Sequence, residues 1–91
     1  MALEDLRELR GYVGRRNPVG LRALLRKMTS LLGQVAEHPD SGARLDGIES
    51  DYEYRQVVFA PYRLIYRSDG EQVIVIRIWH GRRDPRTLDV K

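Results

Sequence analysis

The hydrophobic period of this chain changes once, from helical up to Val35 to alternating after Tyr52, and that switch restricts its fold more than any other feature. Leu21, Leu24, Leu25, Met28, Leu31, Leu32 and Val35 recur at i, i+3, i+4 and i+7, while Arg22, Arg26, Lys27, Thr29 and Ser30 take the other face. Leu3, Leu6, Leu9, Tyr12 and Val13 repeat the pattern upstream, with Glu4 and Asp5 in the first turn where the helix dipole favours acids. This first helix is predicted to end near Gly14. Asn17 followed by Pro18 then supplies a cap and a proline at the first position of the second helix. So short a link predicts an antiparallel helical hairpin over 1–37, closed by turn residues from His38 to Gly42.

Beyond it, Tyr52–Phe59, Tyr62–Ser68 and Val73–Trp79 are rich in Tyr, Val, Ile and Phe, and Ala60-Pro61 and Asp69-Gly70 separate them. They read as consecutive antiparallel strands over 52–80, the last of them central because both of its faces are apolar. A basic tail occupies 81–91. The expected fold is α+β, one domain over 1–91, with the helical hairpin packed on one face of an antiparallel sheet.

Ninety-one residues bury a modest core, so stability calls for help from elsewhere. Cysteine is absent, which removes disulfides and thiolate metal sites. His38 and His80 have no acidic cluster at ligand spacing, so no metal or other cofactor is expected. A protein partner is the remaining stabiliser. No apolar run reaches the ~20 residues of a membrane span, and the charged first helix is no signal-peptide core. These features together lead to the expectation of a cytoplasmic protein with no membrane partner. The net charge of +3 comes mostly from arginine, which suits bidentate contact with carboxylate or phosphate.

Alternation sorts the candidate site residues. Ile74, Ile76 and Ile78 are assigned to the helix side, leaving Val73, Val75, Arg77 and Trp79 on the open face. Arg63, Ile65 and Arg67 share one side of the middle strand, and Arg55, Val57 and Phe59 share one side of the first. With suitable register Arg55, Arg63 and Arg77 converge on the uncovered face among apolar neighbours. Two readings stand: solvated arginines paired with Glu53 and Glu71, or a surface for a peptide whose apolar and acidic residues match it. A second cluster joins Trp79 and His80 to Arg82 and Arg83. A histidine beside arginines suits proton transfer at a phosphate, and a hydrogen-bonded structural histidine in front of a basic tail fits equally well.

Leu6 to Val13, Asn17-Pro18, the segment from Leu31 through Pro39 to Gly42, Tyr54-Arg55, the run Pro61, Tyr62, Arg63, Leu64, Ile65, Tyr66, and Val75 through His80 to Asp84 together resemble the RelE/ParE toxin superfamily, also known as plasmid stabilisation proteins. The resemblance implies the toxin of a type II toxin–antitoxin system and a cognate antitoxin as partner. RelE-like members are mRNA interferases that cleave mRNA on the ribosome; ParE-like members inhibit DNA gyrase. By position, Arg63 matches an arginine of the RelE-like catalytic face, and Arg82 or Arg83 matches its strand-end arginine. Tyr54 and Gln56 stand where RelE-like members carry lysines, and Leu88 is nearest to their C-terminal tyrosine. Those departures tilt the expectation to a non-enzymatic gyrase inhibitor, with an endoribonuclease using Arg63, His80, Arg82 and Arg83 as the alternative. An inert relic that only binds its antitoxin is a third reading. The antitoxin- or target-binding set is then Arg55, Arg63, Arg77, Trp79, Arg82 and Arg83. The family's usual first strand is not seen before the first helix, through either a late start or a real loss; its absence would expose a sheet edge, and the expectation is a homodimer, or a domain-exchanged form, without antitoxin.

Overall fold

A computed structural model describes residues 2–45 and 52–80. The chain runs through two helices, α1 (Ala2–Arg16) and α2 (Pro18–Glu37), and four strands, β1 (Ala43–Arg44), β2 (Tyr54–Phe59), β3 (Tyr62–Ser68) and β4 (Val73–His80). The strands form one antiparallel sheet in the order β1-β2-β3-β4. The α+β architecture expected from the periodicity is therefore the one observed.

α1 runs two residues past its expected end at Gly14, to Arg16. This glycine marks close approach: a Cβ there would stand 3.1 Å from Leu21 Cδ2 on the facing helix. Arg15 and Arg16 continue the helix and return hydrogen bonds from their side chains to the Gly11 and Tyr12 carbonyls, 2.9 and 3.2 Å away. Asn17 then caps α2, its Oδ1 accepting from the Gly20 N–H at 2.9 Å.

Both helices pack on the same side of the sheet. Leu9, Met28 and Val35 meet Phe59, Leu64, Tyr66 and Ile78 in the main core, with Leu6, Leu24, Leu31, Val57, Val73 and Val75 around them. The pairing Phe59↔Tyr62, Val57↔Leu64 and Arg55↔Tyr66 explains why Arg55, Val57 and Phe59 belong to this side. Directly opposed residues of antiparallel strands share a face, and Leu64 and Tyr66 are fully buried there. The expectation that Arg55, Val57 and Phe59 face away from the helices is thus overturned.

β4 departs from its predicted role twice. It lies at the edge of the sheet, not at its centre; both its faces are apolar because a buried cluster lies on each side. It also carries a bulge: Ile65 pairs with Arg77 but Tyr66 with Val75, so Ile76 is the extra residue. A bulge reverses the parity of alternation. Val73, Val75 and Ile78 face the helices, while Ile76 and Trp79 face the other way, in place of the expected Ile74, Ile76, Ile78 stripe. The short strand β1 escaped the sequence reading altogether. It is held by pairing with Gln56 and Arg55 and by a 2.9 Å bond from the Leu45 N–H to the Tyr54 carbonyl.

Candidate protein-binding face

The side of the sheet away from the helices has a core of its own. Tyr54, Ile65 and Trp79 are buried there, with Leu45 and Ile76 packed against them, and no helical residue takes part. Its middle is not bare, as the sequence suggested, because two large aromatic side chains close over Ile65, which is fully buried. Polar and cationic groups ring this centre. Arg63 lies opposite Val58 on one side and Trp79 on the other, and its Nη1 donates to Gln56 Oε1 at 2.9 Å. Arg67, opposite Tyr54, stacks its guanidinium 4.0 Å above the Tyr52 ring. Tyr52 in turn meets Tyr54 edge-on at 6.5 Å. Val58 is 60% exposed in the same field. The result is a basic and aromatic surface with an apolar floor.

Arg77 reaches this face through the bulge, with its guanidinium 5.1 Å from the centre of the Trp79 ring. Its charge is already matched. Nε and Nη2 donate to the Asp5 carboxylate of α1 at 2.7 and 3.0 Å, and the Ile78 N–H donates to the same carboxylate at 3.0 Å. Those hydrogen bonds raise the guanidinium's pKa above its ordinary value, against an opposing effect of burial, with Glu8 and Glu4 adding to the field. Arg77 is therefore protonated at every working pH.

The other predicted residues lie elsewhere. Arg55, on the helix side, is a clamp for the turn after α2: it donates to the carbonyls of Asp40 at 3.1 Å and Gly42 at 2.8 Å, and to Glu53 Oε1 at 3.0 Å. Glu53 also pairs with Arg44 at 2.9 Å. His80 is opposite Tyr62 and meets its ring edge-on at 5.7 Å, beside a cleft of about 660 Å³ lined by Leu9, Tyr12, Val13, Leu24 and Pro61. Tyr62 packs against the helix-side core. Arg63, the next residue, points to the opposite side of the sheet. The geometry thus unites Arg63, Arg67, Arg77 and Trp79 and separates them from Arg55 and His80. Arg82, Arg83, Leu88 and the 81–91 tail lie outside the described residues. Among the described residues no group of three His, Asp or Glu side chains is placed to hold a metal, and no helix is long and apolar enough to cross a membrane.

Arg67 and Tyr52 are the members that sequence reasoning left out of the site. Arg67 had a signal, since it shares parity with Arg63 and Ile65. Asp5 had none: it stands 72 residues from Arg77 in the chain.

A helical hairpin laid on one face of an antiparallel sheet, with a basic aromatic surface on the other, defines a toxin fold of the RelE/ParE superfamily. Residues 1–85 match the family model described as ParE toxin of type II toxin-antitoxin system, parDE. The chain belongs to this ParE toxin family. No curated protein and no solved structure matches it.

Proposed function

We propose that this protein is a cytoplasmic toxin that inhibits DNA gyrase and is neutralised by a cognate antitoxin lying across the face of the sheet opposite α1 and α2. The observation that carries the reading is the arrangement of Arg63 and Arg67 around the Tyr54, Ile65 and Trp79 floor on the side that neither helix covers. An extended peptide with alternating apolar and acidic residues matches it: apolar side chains on Val58, Ile76 and the aromatic rims, carboxylates on the guanidiniums. Arg77 contributes its stem and its stacking on Trp79, because Asp5 already occupies its hydrogen-bonding edge. Arg82 and Arg83 follow β4 in the sequence and bring further positive charge to this reading.

Gyrase inhibition is favoured over mRNA cleavage by the separation of Arg63 from His80. A phosphodiester cleavage site needs its proton-transfer group and its charge-stabilising group at one phosphate, and these two face opposite sides of the sheet.

Replacing Arg63 and Arg67 by Glu tests the antitoxin face. Each exchange is expected to cost about 1–3 kcal/mol of affinity for the antitoxin, roughly 5- to 150-fold in Kd; binding equal to that of the native chain contradicts the assignment. For the target, the purified toxin should block gyrase supercoiling, and primer extension on translated mRNA should show no codon-phased cuts. Cuts without a supercoiling defect would replace this function with the nuclease one.

A further inference from the structure

We propose that the outward face of the helical hairpin, centred on α2, binds duplex DNA through its phosphate backbone. Charge is the starting point. Residues 9–36 hold six cations, Arg10, Arg15, Arg16, Arg22, Arg26 and Lys27, and no acid. All thirteen acids lie outside that stretch, against the ten remaining cations. The modest net charge of +3 therefore conceals one strongly basic segment in a chain that is otherwise acidic. All six residues are exposed, and among the described residues none of them pairs with an acid. Arg15 and Arg16 bond the Gly11 and Tyr12 carbonyls, neutral groups that leave each guanidinium its full charge.

Helical spacing then arranges these cations. α2 turns Leu21, Leu24, Leu25, Leu31 and Leu32 toward the core, beside buried Met28 and Val35, so its other face looks away from the sheet. Arg22 and Arg26, four residues apart, stack along that face with a rise of about 6 Å. At 3.6 residues per turn they fall on one side of Ala23 and Ser30, and Lys27 falls on the other. Small residues form the ridge and cations flank it. A helix of this form can come close to a polyanion while both flanks reach phosphates.

The composition of the face selects the occupant. Among the described residues of α2, Val19 is the one large apolar side chain left exposed. Strong protein interfaces are built around buried apolar or aromatic anchors, and a helix lying on a membrane inserts an apolar face. On α2 that face is taken by the core. Attraction here comes from charge, which favours the densest polyanion. Single strands are held on aromatic stacking platforms, and α2 has no aromatic residue. The deep, narrow major groove of A-form RNA shuts out an α-helix, whereas that of B-DNA admits one. Duplex DNA matches both the charge and the shape. This surface lies on the helix side of the sheet, with Arg63 and Trp79 on the other, so it needs neither gyrase nor a vacant antitoxin face.

Fluorescence anisotropy of the purified chain with a labelled, mixed-sequence DNA duplex of about 20 base pairs tests the inference. Kd at physiological salt should fall at about 10⁻⁶–10⁻⁴ M, and log K against log salt should have a slope of about −3 to −5, as three to five neutralised phosphates require. Arg22→Gln with Arg26→Gln should make that slope shallower by about 2 and weaken binding about tenfold or more. Arg44→Glu, on the exposed strand β1, changes the net charge equally and should shift Kd by less than about threefold. Both variants should keep the native far-UV circular dichroism spectrum; should the first fail to fold, Arg16→Gln with Lys27→Gln is the second pair. A supercoiling assay decides the gyrase reading by itself, because this measurement needs only DNA. No DNA binding at low salt overturns the inference, as does an equal loss in Arg44→Glu. Binding as tight to an RNA duplex of the same sequence, or to phosphatidylserine vesicles, overturns it too.

Discussion

Asp5→Ala is the substitution that most sharply tests how α1 is fastened to the sheet. The carboxylate accepts three hydrogen bonds, from Arg77 Nε, Arg77 Nη2 and the Ile78 N–H, at 2.7, 3.0 and 3.0 Å. Its side chain is 9% exposed and that of Arg77 is 18% exposed. Truncation leaves a guanidinium and a main-chain donor facing a space that water only partly reaches. Hydrogen bonds to a charged group contribute about 1.5 kcal/mol each at the low end, and breaking a buried pair costs about 3–5 kcal/mol. Residual exposure of Arg77 favours the bottom of that range, so the expected loss is about 3 kcal/mol. For a domain of this size each kcal/mol lowers Tm by about 4–8 °C, which gives a fall of about 12–24 °C. Urea unfolding followed by circular dichroism measures it, with the m-value checking that compactness is unchanged. Most of the loss comes from the stranded cation, so adding Arg77→Met to Asp5→Ala should return about 1 kcal/mol. A loss below 1 kcal/mol for Asp5→Ala, or a double variant weaker than the sum of the two singles, refutes the reasoning.

Other perturbations have equally direct readouts. Tyr66→Phe removes a hydroxyl that donates to the Pro39 carbonyl at 2.7 Å and accepts from the Gly42 N–H at 3.0 Å; it should cost about 1–3 kcal/mol and raise amide exchange at Gly42. Gly42→Ala places a Cβ 2.5 Å from the Tyr66 hydroxyl and 2.8 Å from the Gln56 carbonyl oxygen, so it should destabilise by about 1–3 kcal/mol, read from the urea midpoint. Asn17→Ala deletes the α2 cap and should lower stability by about 1 kcal/mol, whereas Asn17→Asp retains most of it. The Asp69 carboxyl is held below its usual value of 3.8, first by the Gln72 N–H and then by the Glu71 N–H. A depressed folded pKa means that its support of the hairpin is complete above the ordinary carboxylate range and is lost as pH falls through the lowered value. Titration by NMR should show the Glu71 and Gln72 amides shifting with a midpoint below the ordinary carboxyl value of 3.8.

The helices, the hairpin strands and the family resemblance were legible in the chain because they depend on near neighbours. The period of α2, the Asn17-Pro18 junction and the Asp69-Gly70 turn are local chemistry, and the structure keeps all of them. Alternation within β3 also held: Arg63 and Ile65 lie on one side, Leu64 and Tyr66 on the other. What alternation cannot say is which parity meets the helices. That depended on the pairing of Phe59 with Tyr62, which carried Arg55 to the helix side, and on one extra residue at Ile76, which reversed β4 halfway along. The position of β4 at the edge was equally hidden, since an apolar strand reads alike whether strands or buried clusters flank it. Asp5 and Arg77, far apart in the chain, meet only because α1 packs against the edge strand β4. Sequence therefore determined the elements and their order through short-range sterics and hydrophobic period. Register, the bulge and the helix crossing decided which arginines share a surface, because those are contacts between residues that the chain keeps far apart.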